Sequence, residues 1–178
     1  MYGFICVAHR GASGRWPENT LLAFQQALQA GARWLELDVQ LSADGELVVI
    51  HDESLERTSD GAGLVAEQTF EQLRQLDVGR GQKVPLLAEV LDLAAGKATV
   101  NIELKGEGTG EPVAKLLLQR LVAGKQPLDQ ILASSLYENE LRCFAKSAPQ
   151  VPLALVADVV EPRIWQLVTE LNLWSLHL

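Results

Sequence analysis

Apolar positions recur along this chain with two different periods. From Trp34 to Leu41 the period is two: Leu35, Leu37 and Val39 leave one face of a strand, and Glu36 and Asp38 leave the other. Leu47-Val-Val-Ile continues as a second strand that runs into His51-Asp52, and Asp44-Gly45 between the two supplies the residues of a tight hairpin turn. Such a hairpin brings His51 opposite the Glu36–Asp38 region. Upstream the period is helical. Leu21, Leu22, Phe24, Ala27 and Leu28 form one stripe, Pro17-Glu18-Asn19-Thr20 opens it with Asn19 or Thr20 as cap, and Gly31 closes it.

The same alternation fills the rest of the chain. Phe4 to Ala8 is a short apolar run expected to be a buried strand, ending in His9-Arg10-Gly11. After a polar segment to about residue 68, Thr69-Phe-Glu-Gln72 is a capping box for a short helix carrying Leu73 and Leu76, broken by Gly79 and Gly81. Pro85 starts a helix over 86–95 and Gly96 stops it. Residues 98–104 read as a strand, 112–123 as a helix stopped by Gly124, and 130–133 as a strand ending at Ser134-Ser135. A helix around 138–146, a strand over 151–156, a helix over 162–171 and a strand over 173–178 follow.

Strand–helix alternation of this kind predicts a parallel sheet with helices outside it. Polar residues cluster near the predicted C-terminal ends of the strands: His9, Glu103 and Lys105, Ser134 and Ser135. That is where (β/α) barrels carry their chemistry. The pattern therefore fits an α/β fold of the (β/α)-barrel kind better than an open sheet. No Gly-x-Gly-x-x-Gly or Walker loop follows the first strand, which argues against dinucleotides and nucleoside triphosphates.

Composition narrows the partners. The 178 residues are 48% hydrophobic, enough for one domain with a sizeable core. Net charge is −8 and no Lys/Arg block occurs, so nucleic acid and anionic membrane surfaces are poor partners. No apolar run approaches the roughly 18 residues of a membrane helix, and Met1 to Val7 has neither the basic start nor the cleavage site of a leader. Cys6 and Cys143 are the only cysteines, which suits a reducing compartment, the cytoplasm.

Asn101-Ile-Glu103-Leu-Lys105 repeats the device of the Trp34 strand, with Asn101, Glu103 and Lys105 on one face. In one barrel, Glu36, Asp38 and Glu103 become a three-carboxylate cluster. Carboxylates packed this closely repel unless a cation or a proton sits between them, and an all-oxygen set suits Mg²⁺ or Ca²⁺ better than zinc. Taken singly, each group has a plainer explanation: a solvated strand face, a surface ion pair, a satisfied histidine, and for Trp16, Trp34, Trp165 and Trp174 simple packing. The recurrence of such groups on several strand ends argues against all of these at once.

In order and spacing, His9-Arg10-Gly11, Pro17-Glu18-Asn19-Thr20, Glu36-Leu-Asp38-Val, His51-Asp52, Arg57-Thr58 and Glu103-Leu-Lys105 resemble the glycerophosphodiester phosphodiesterases. The segment Pro85-Leu-Leu-Ala-Glu-Val-Leu resembles that family too, and the likeness runs over essentially the whole chain. It implies an α/β fold, a TIM-type (β/α) barrel, and a metal-dependent hydrolase that cleaves small-molecule glycerophosphodiesters, such as glycerophosphocholine, to glycerol 3-phosphate and an alcohol. By the same resemblance His9 and His51 are the acid–base pair, and Glu36, Asp38 and Glu103 hold one divalent ion, Mg²⁺ or Ca²⁺. Arg10 and Lys105 then hold the phosphate.

One departure qualifies the match. Members of the family run longer, and TIM barrels typically have about 250 residues, so residues 1–178 read as a single domain lacking the family's closing C-terminal units. The chain is then either a piece of a longer protein, the expectation adopted here, or it closes by self-association through an open barrel edge. Two other functions stay open. One is a phospholipase of the phosphatidylinositol-specific or sphingomyelinase D kind, for which the sequence displays neither an apolar rim nor a basic face. The other is a non-catalytic scaffold that binds metal or phosphate.

Overall fold

The computed structural model describes residues 4–178, so Met1 to Gly3, the start of the segment read as lacking a leader, lie outside it. Six strands form a parallel sheet in the order β1 (Val7–His9), β2 (Trp34–Leu41), β4 (Thr99–Leu104), β5 (Ile131–Ser135), β6 (Leu153–Val156) and β7 (Ser175–His177). The hairpin strand β3 (Leu47–Val49) pairs antiparallel with β2 outside this order. Helices α1 (Leu21–Gln29), α3 (Leu87–Ala94), α4 (Gly110–Val122), α5 (Glu138–Ser147) and α6 (Pro162–Glu170) are the crossovers between successive parallel strands. The shorter α2 (Phe70–Gln75) lies in the segment that follows β3.

The sheet curls. Trp34 at the start of β2 stacks on Trp174 just before β7, ring centroids 6.0 Å apart and planes 13° from parallel. Those strands are four steps apart in the sheet, about 19 Å along a flat one at about 4.8 Å per strand. Only a sheet bent into a barrel wall brings the two rings into contact. Among the described residues β1 pairs only with β2 and β7 only with β6, so the wall stays open.

Parity divides the strands as expected. Leu35, Leu37 and Val39 of β2 and Val100, Ile102 and Leu104 of β4 are fully buried, in one core with Phe24 of α1, Leu91 of α3, Leu117 of α4 and Phe144 of α5. Each such side chain contributes about 1.5–3 kcal/mol by leaving water. The opposite faces carry Glu36, Asp38, Asn101 and Glu103 into the barrel interior. In parallel register Glu36 pairs with Asn101 and Asp38 with Glu103.

Four expectations need correction. The first strand is not the buried run Phe4 to Ala8: β1 begins at Val7, Phe4 is fully exposed, and Ile5 and Val7 are exposed as well, because that edge has no neighbour among the described residues. The hairpin is not a two-residue turn. Ser42 N donates to the Glu46 carbonyl and Gly45 sits at φ 81°, a three-residue loop with glycine in the left-handed position. The segment after His51 is more than a polar loop. Leu55, Val65, Leu73, Val78 and Val84 pack with Val48 and Ile50 into a second, smaller core. Finally, Trp165 is largely exposed rather than packed. The capping box does form, with Thr69 N–H donating to Gln72 Oε1 at 2.8 Å.

Candidate active site

The chain leaves β1 through a left-handed pair, Arg10 at φ 55° and Gly11 at φ 80°. A β-carbon on Gly11 would lie 2.7 Å from the carbonyl carbon of Ala23, so only glycine lets this turn pack on α1. The turn aims the Arg10 backbone N–H at Glu36, donating to Oε2 at 2.9 Å. Asn19 is a third left-handed residue, at φ 56°. Thr20 alone caps α1, its Oγ1 accepting from Ala23 N at 3.1 Å. Asn19 instead turns inward, and its Nδ2 donates to Asp38 Oδ2 at 2.8 Å.

Oxygens of Glu36, Asp38 and Glu103 lie within 4.8 Å of one another. Burial and the charge of Asp38 push the Glu36 carboxyl up to about 8. Asp38, 1% exposed, is also pushed up by burial, against the pull of Asn19, His51 and Arg10. Glu36 Oε1 is buried without any hydrogen-bond partner. A buried acceptor left unpaired costs roughly 1–3 kcal/mol, and a cation among the three carboxylates would relieve both the orphan and the repulsion. These residues fit a hard divalent ion. Asn101, 5% exposed and beside Glu36 in the register, also has an unpartnered Oδ1, as does Ser134 at its Oγ.

The two histidines reach this cluster from different directions. His9 Nε2 lies 3.9 Å from Glu36 Oε2, and burial followed by the Arg10 charge pulls its pKa below 6.5. His51 sits two residues past β3, its carbonyl held by Gln40 Nε2 at 2.8 Å while Ile50 N–H bonds the Asp38 carbonyl. The hairpin therefore delivers it beside Asp38, as its register requires. Its Nδ1 is 2.5 Å from Asp52 Oδ1. Arg57 forks onto Asp52 and holds that carboxyl far below the usual carboxylate range.

Arg10 and Lys105 complete the predicted set. Arg10 Nη1 donates to Glu18 Oε1 at 3.0 Å, and its Nε lies 3.3 Å from Asp38 Oδ2. Lys105 Nζ donates to Glu103 Oε1 at 3.1 Å. All seven residues singled out in the sequence thus sit around one opening of the barrel interior. The sequence shows Asn19, Glu18 and Arg57 within family-like motifs but gives them no role in the site, because helix-opening and loop positions carry no periodic signal. His177 lines a cleft of about 340 Å³ with His9, Glu36, Asn101 and Trp34. A larger hollow of about 880 Å³ follows the free edge of β1 from Phe4 to Arg15, away from the carboxylates.

Residues 9–178 match the model of the glycerophosphoryl diester phosphodiesterase family. A glycerophosphodiester phosphodiesterase of Caldanaerobacter subterraneus is 37% identical over 183 residues, covering 97% of this chain and 74% of that protein. One from Bacillus altitudinis is 40% identical over 163 residues, and this chain spans 66% of its length. Among solved structures, a phosphodiesterase of Oleispira antarctica in complex with the product sn-glycerol-3-phosphate superposes with a TM-score of 0.87. It shares 31% identity, with 96% of this chain and 73% of that one covered.

Proposed function

The chain belongs to the glycerophosphoryl diester phosphodiesterase family, phosphoric diester hydrolases built on TIM-type barrels, and from there we propose that it is a single domain of that family, hydrolysing glycerophosphodiesters to glycerol 3-phosphate and an alcohol. The observation that carries this reading is the trio of buried Glu36 and Asp38 with half-buried Glu103, one Glu36 oxygen unpaired, flanked by His9 and His51. The trio would hold one divalent ion, Mg²⁺ or Ca²⁺. Bound there, such an ion supplies charge neutralisation for the non-bridging oxygens of the phosphodiester.

The side chains take up the remaining tasks. Arg10 and Lys105 bring two cations to the rim of the trio, where a phosphodiester anion needs them. His9, with its pKa lowered, is largely neutral near pH 7 and able to accept a proton. Asp52 accepts from His51 Nδ1, which leaves Nε2 turned away from that bond and free to carry the second proton. One imidazole takes a proton from the attacking hydroxyl, and the other gives one to the leaving oxygen.

Release of glycerol 3-phosphate from glycerophosphocholine tests the reading. Release with Mg²⁺ or Ca²⁺, stopped by a chelator and abolished by His51→Ala, is the expected result. Cation binding without release would instead favour the non-catalytic scaffold. One observation supports a second reading, a phospholipase: Leu136, Tyr137, Val159 and Val160 are exposed just beyond the C-terminal ends of β5 and β6, an apolar rim that the sequence alone does not reveal. Faster cleavage of a lysophospholipid than of glycerophosphocholine would favour it. No helix of the described residues is long and apolar enough to cross a membrane. Two exposed free thiols, Cys6 and Cys143, support a cytoplasmic setting. The free edge of β1 supports self-association, which sedimentation at rising concentration would detect.

A further inference from the structure

Glu18 sits at the junction of two groups that the hydrolase reading uses separately. Its Oε1 accepts from Arg10 Nη1 at 3.0 Å and from Arg57 Nη2 at 2.8 Å, and its Oε2 accepts from Arg57 Nη1 at 3.0 Å. Arg57 then turns its other edge to Asp52, Nε to Oδ2 at 2.5 Å and Nη2 to Oδ1 at 2.9 Å. Asp52 in turn holds His51 Nδ1. One unbroken chain of charge-assisted bonds therefore runs from His51 through Asp52, Arg57 and Glu18 to Arg10, and Arg10 Nε closes on Asp38 at 3.3 Å.

The topology makes this chain more than a surface ion cluster. Arg10 and Glu18 belong to the loop between β1 and α1, whereas His51, Asp52 and Arg57 belong to the segment beyond β3. That segment has its own core, separate from the one beneath the parallel strands. Alongside the β2–β3 pairing, the Gln40–His51 bond and Arg80 over the Trp16 ring, Glu18 ties the His51 segment to the turn presenting Arg10. A guanidinium that forks onto two carboxylates at once has few orientations left, so the geometry of both partners is specified together.

We propose that Glu18 is a positioning residue. It sets the angle of Arg10 toward the phosphate and, through Arg57 and Asp52, the orientation of the His51 ring, so that anion binding and proton transfer share one geometry. The proposal rests on the hydrolase reading for the roles of Arg10 and His51. Displacements of about 1 Å in such groups can reduce turnover about 10²-fold. Glu18→Gln keeps the volume and loses the charge, and Arg57→Lys keeps the charge and loses the fork.

The test compares wild type, Glu18→Gln, Arg57→Lys and, as a control ion-pair loss elsewhere, Glu89→Gln. Three readouts are taken: steady-state hydrolysis of glycerophosphocholine, calorimetric binding of Mg²⁺ and of inorganic phosphate, and the ring resonances of His51 by NMR. Expected for Glu18→Gln are a kcat lowered about 10–10²-fold, weaker phosphate binding, shifted His51 resonances and Mg²⁺ affinity within about twofold of wild type. Arg57→Lys should move kcat and the His51 resonances but leave phosphate binding closer to wild type. Unchanged His51 resonances together with unchanged phosphate binding in Glu18→Gln would overturn the proposal. So would a kcat loss in Glu89→Gln equal to that in Glu18→Gln. A wild-type chain that binds Mg²⁺ but releases no glycerol 3-phosphate would fail the hydrolase reading, while the phosphate and NMR arms would still decide the role of Glu18.

Discussion

The candidate site joins two regions held by different forces. On the barrel wall, Glu36, Asp38 and Glu103 leave adjacent paired strands whose other faces are fully buried. Strand register and parity leave those carboxylates nowhere else to point. In the segment after β3, His51, Asp52 and Arg57 sit on chain with few regular elements, over a small core of its own. There the side chains are directed by ion pairs and single hydrogen bonds. The wall can keep a cation site while the segment shifts. The reverse does not hold, because the segment hangs on β2 through Ile50 and Gln40 and on the β1–α1 loop through Glu18.

Substitutions in each region should therefore separate binding from turnover. The largest effect is expected from Glu36→Ala, which should abolish both cation binding in calorimetry and hydrolysis. His51→Ala should lower kcat by about 10²–10⁴-fold and leave the cation isotherm essentially unchanged. Loss of the isotherm in that variant would break the comparison. Leu73→Ala opens the small core at a fully buried position, at a cost of about 2–5 kcal/mol. Its signature should be faster proteolysis within residues 53–84 and reduced turnover, with cation binding retained. Gly11→Ala forces a β-carbon against Ala23 at a left-handed position and should lower stability by about 1–3 kcal/mol, seen as a lower Tm.

The smallest expected effect concerns pH. Arg74 forks onto Glu89 with two 2.6 Å bonds and holds that carboxyl below its ordinary 4.5. A depressed folded pKa stabilises the protein fully above about pH 4.5 and loses that contribution as pH falls through the folded value. Both partners are partly exposed, so the pair is worth about 1 kcal/mol at most. Wild type should exceed Glu89→Gln in stability at pH 7, and urea titrations should converge as the pH falls below about 4.5 and through the lowered folded value.

The division between the regions also explains what could be read in advance. Glu36, Asp38 and Glu103 were legible because alternation with Leu35, Leu37, Ile102 and Leu104 places them on one face before any tertiary contact is known. The helices announced themselves through Thr69, Pro85, Gly96 and Gly124. The roles of Asn19 and Glu18 were not legible even though their motif was, since a helix-opening Glu-Asn-Thr reads as capping, and only the left-handed φ of Asn19 turns its amide toward Asp38. The second core escaped notice because Leu55, Val65, Val78 and Val84 follow no regular period. The exposed first strand escaped for a different reason: an apolar run says what could be buried, and only a neighbouring strand decides whether it is.

The most direct test of this account is calorimetric titration of Mg²⁺ and Ca²⁺ into wild type, Glu36→Ala and Leu73→Ala. One site in wild type, none in Glu36→Ala and an almost unaltered site in Leu73→Ala is the predicted pattern. A wild-type isotherm that Glu36→Ala leaves intact would contradict it, because the carboxylate trio of the barrel wall would then not be where the cation binds.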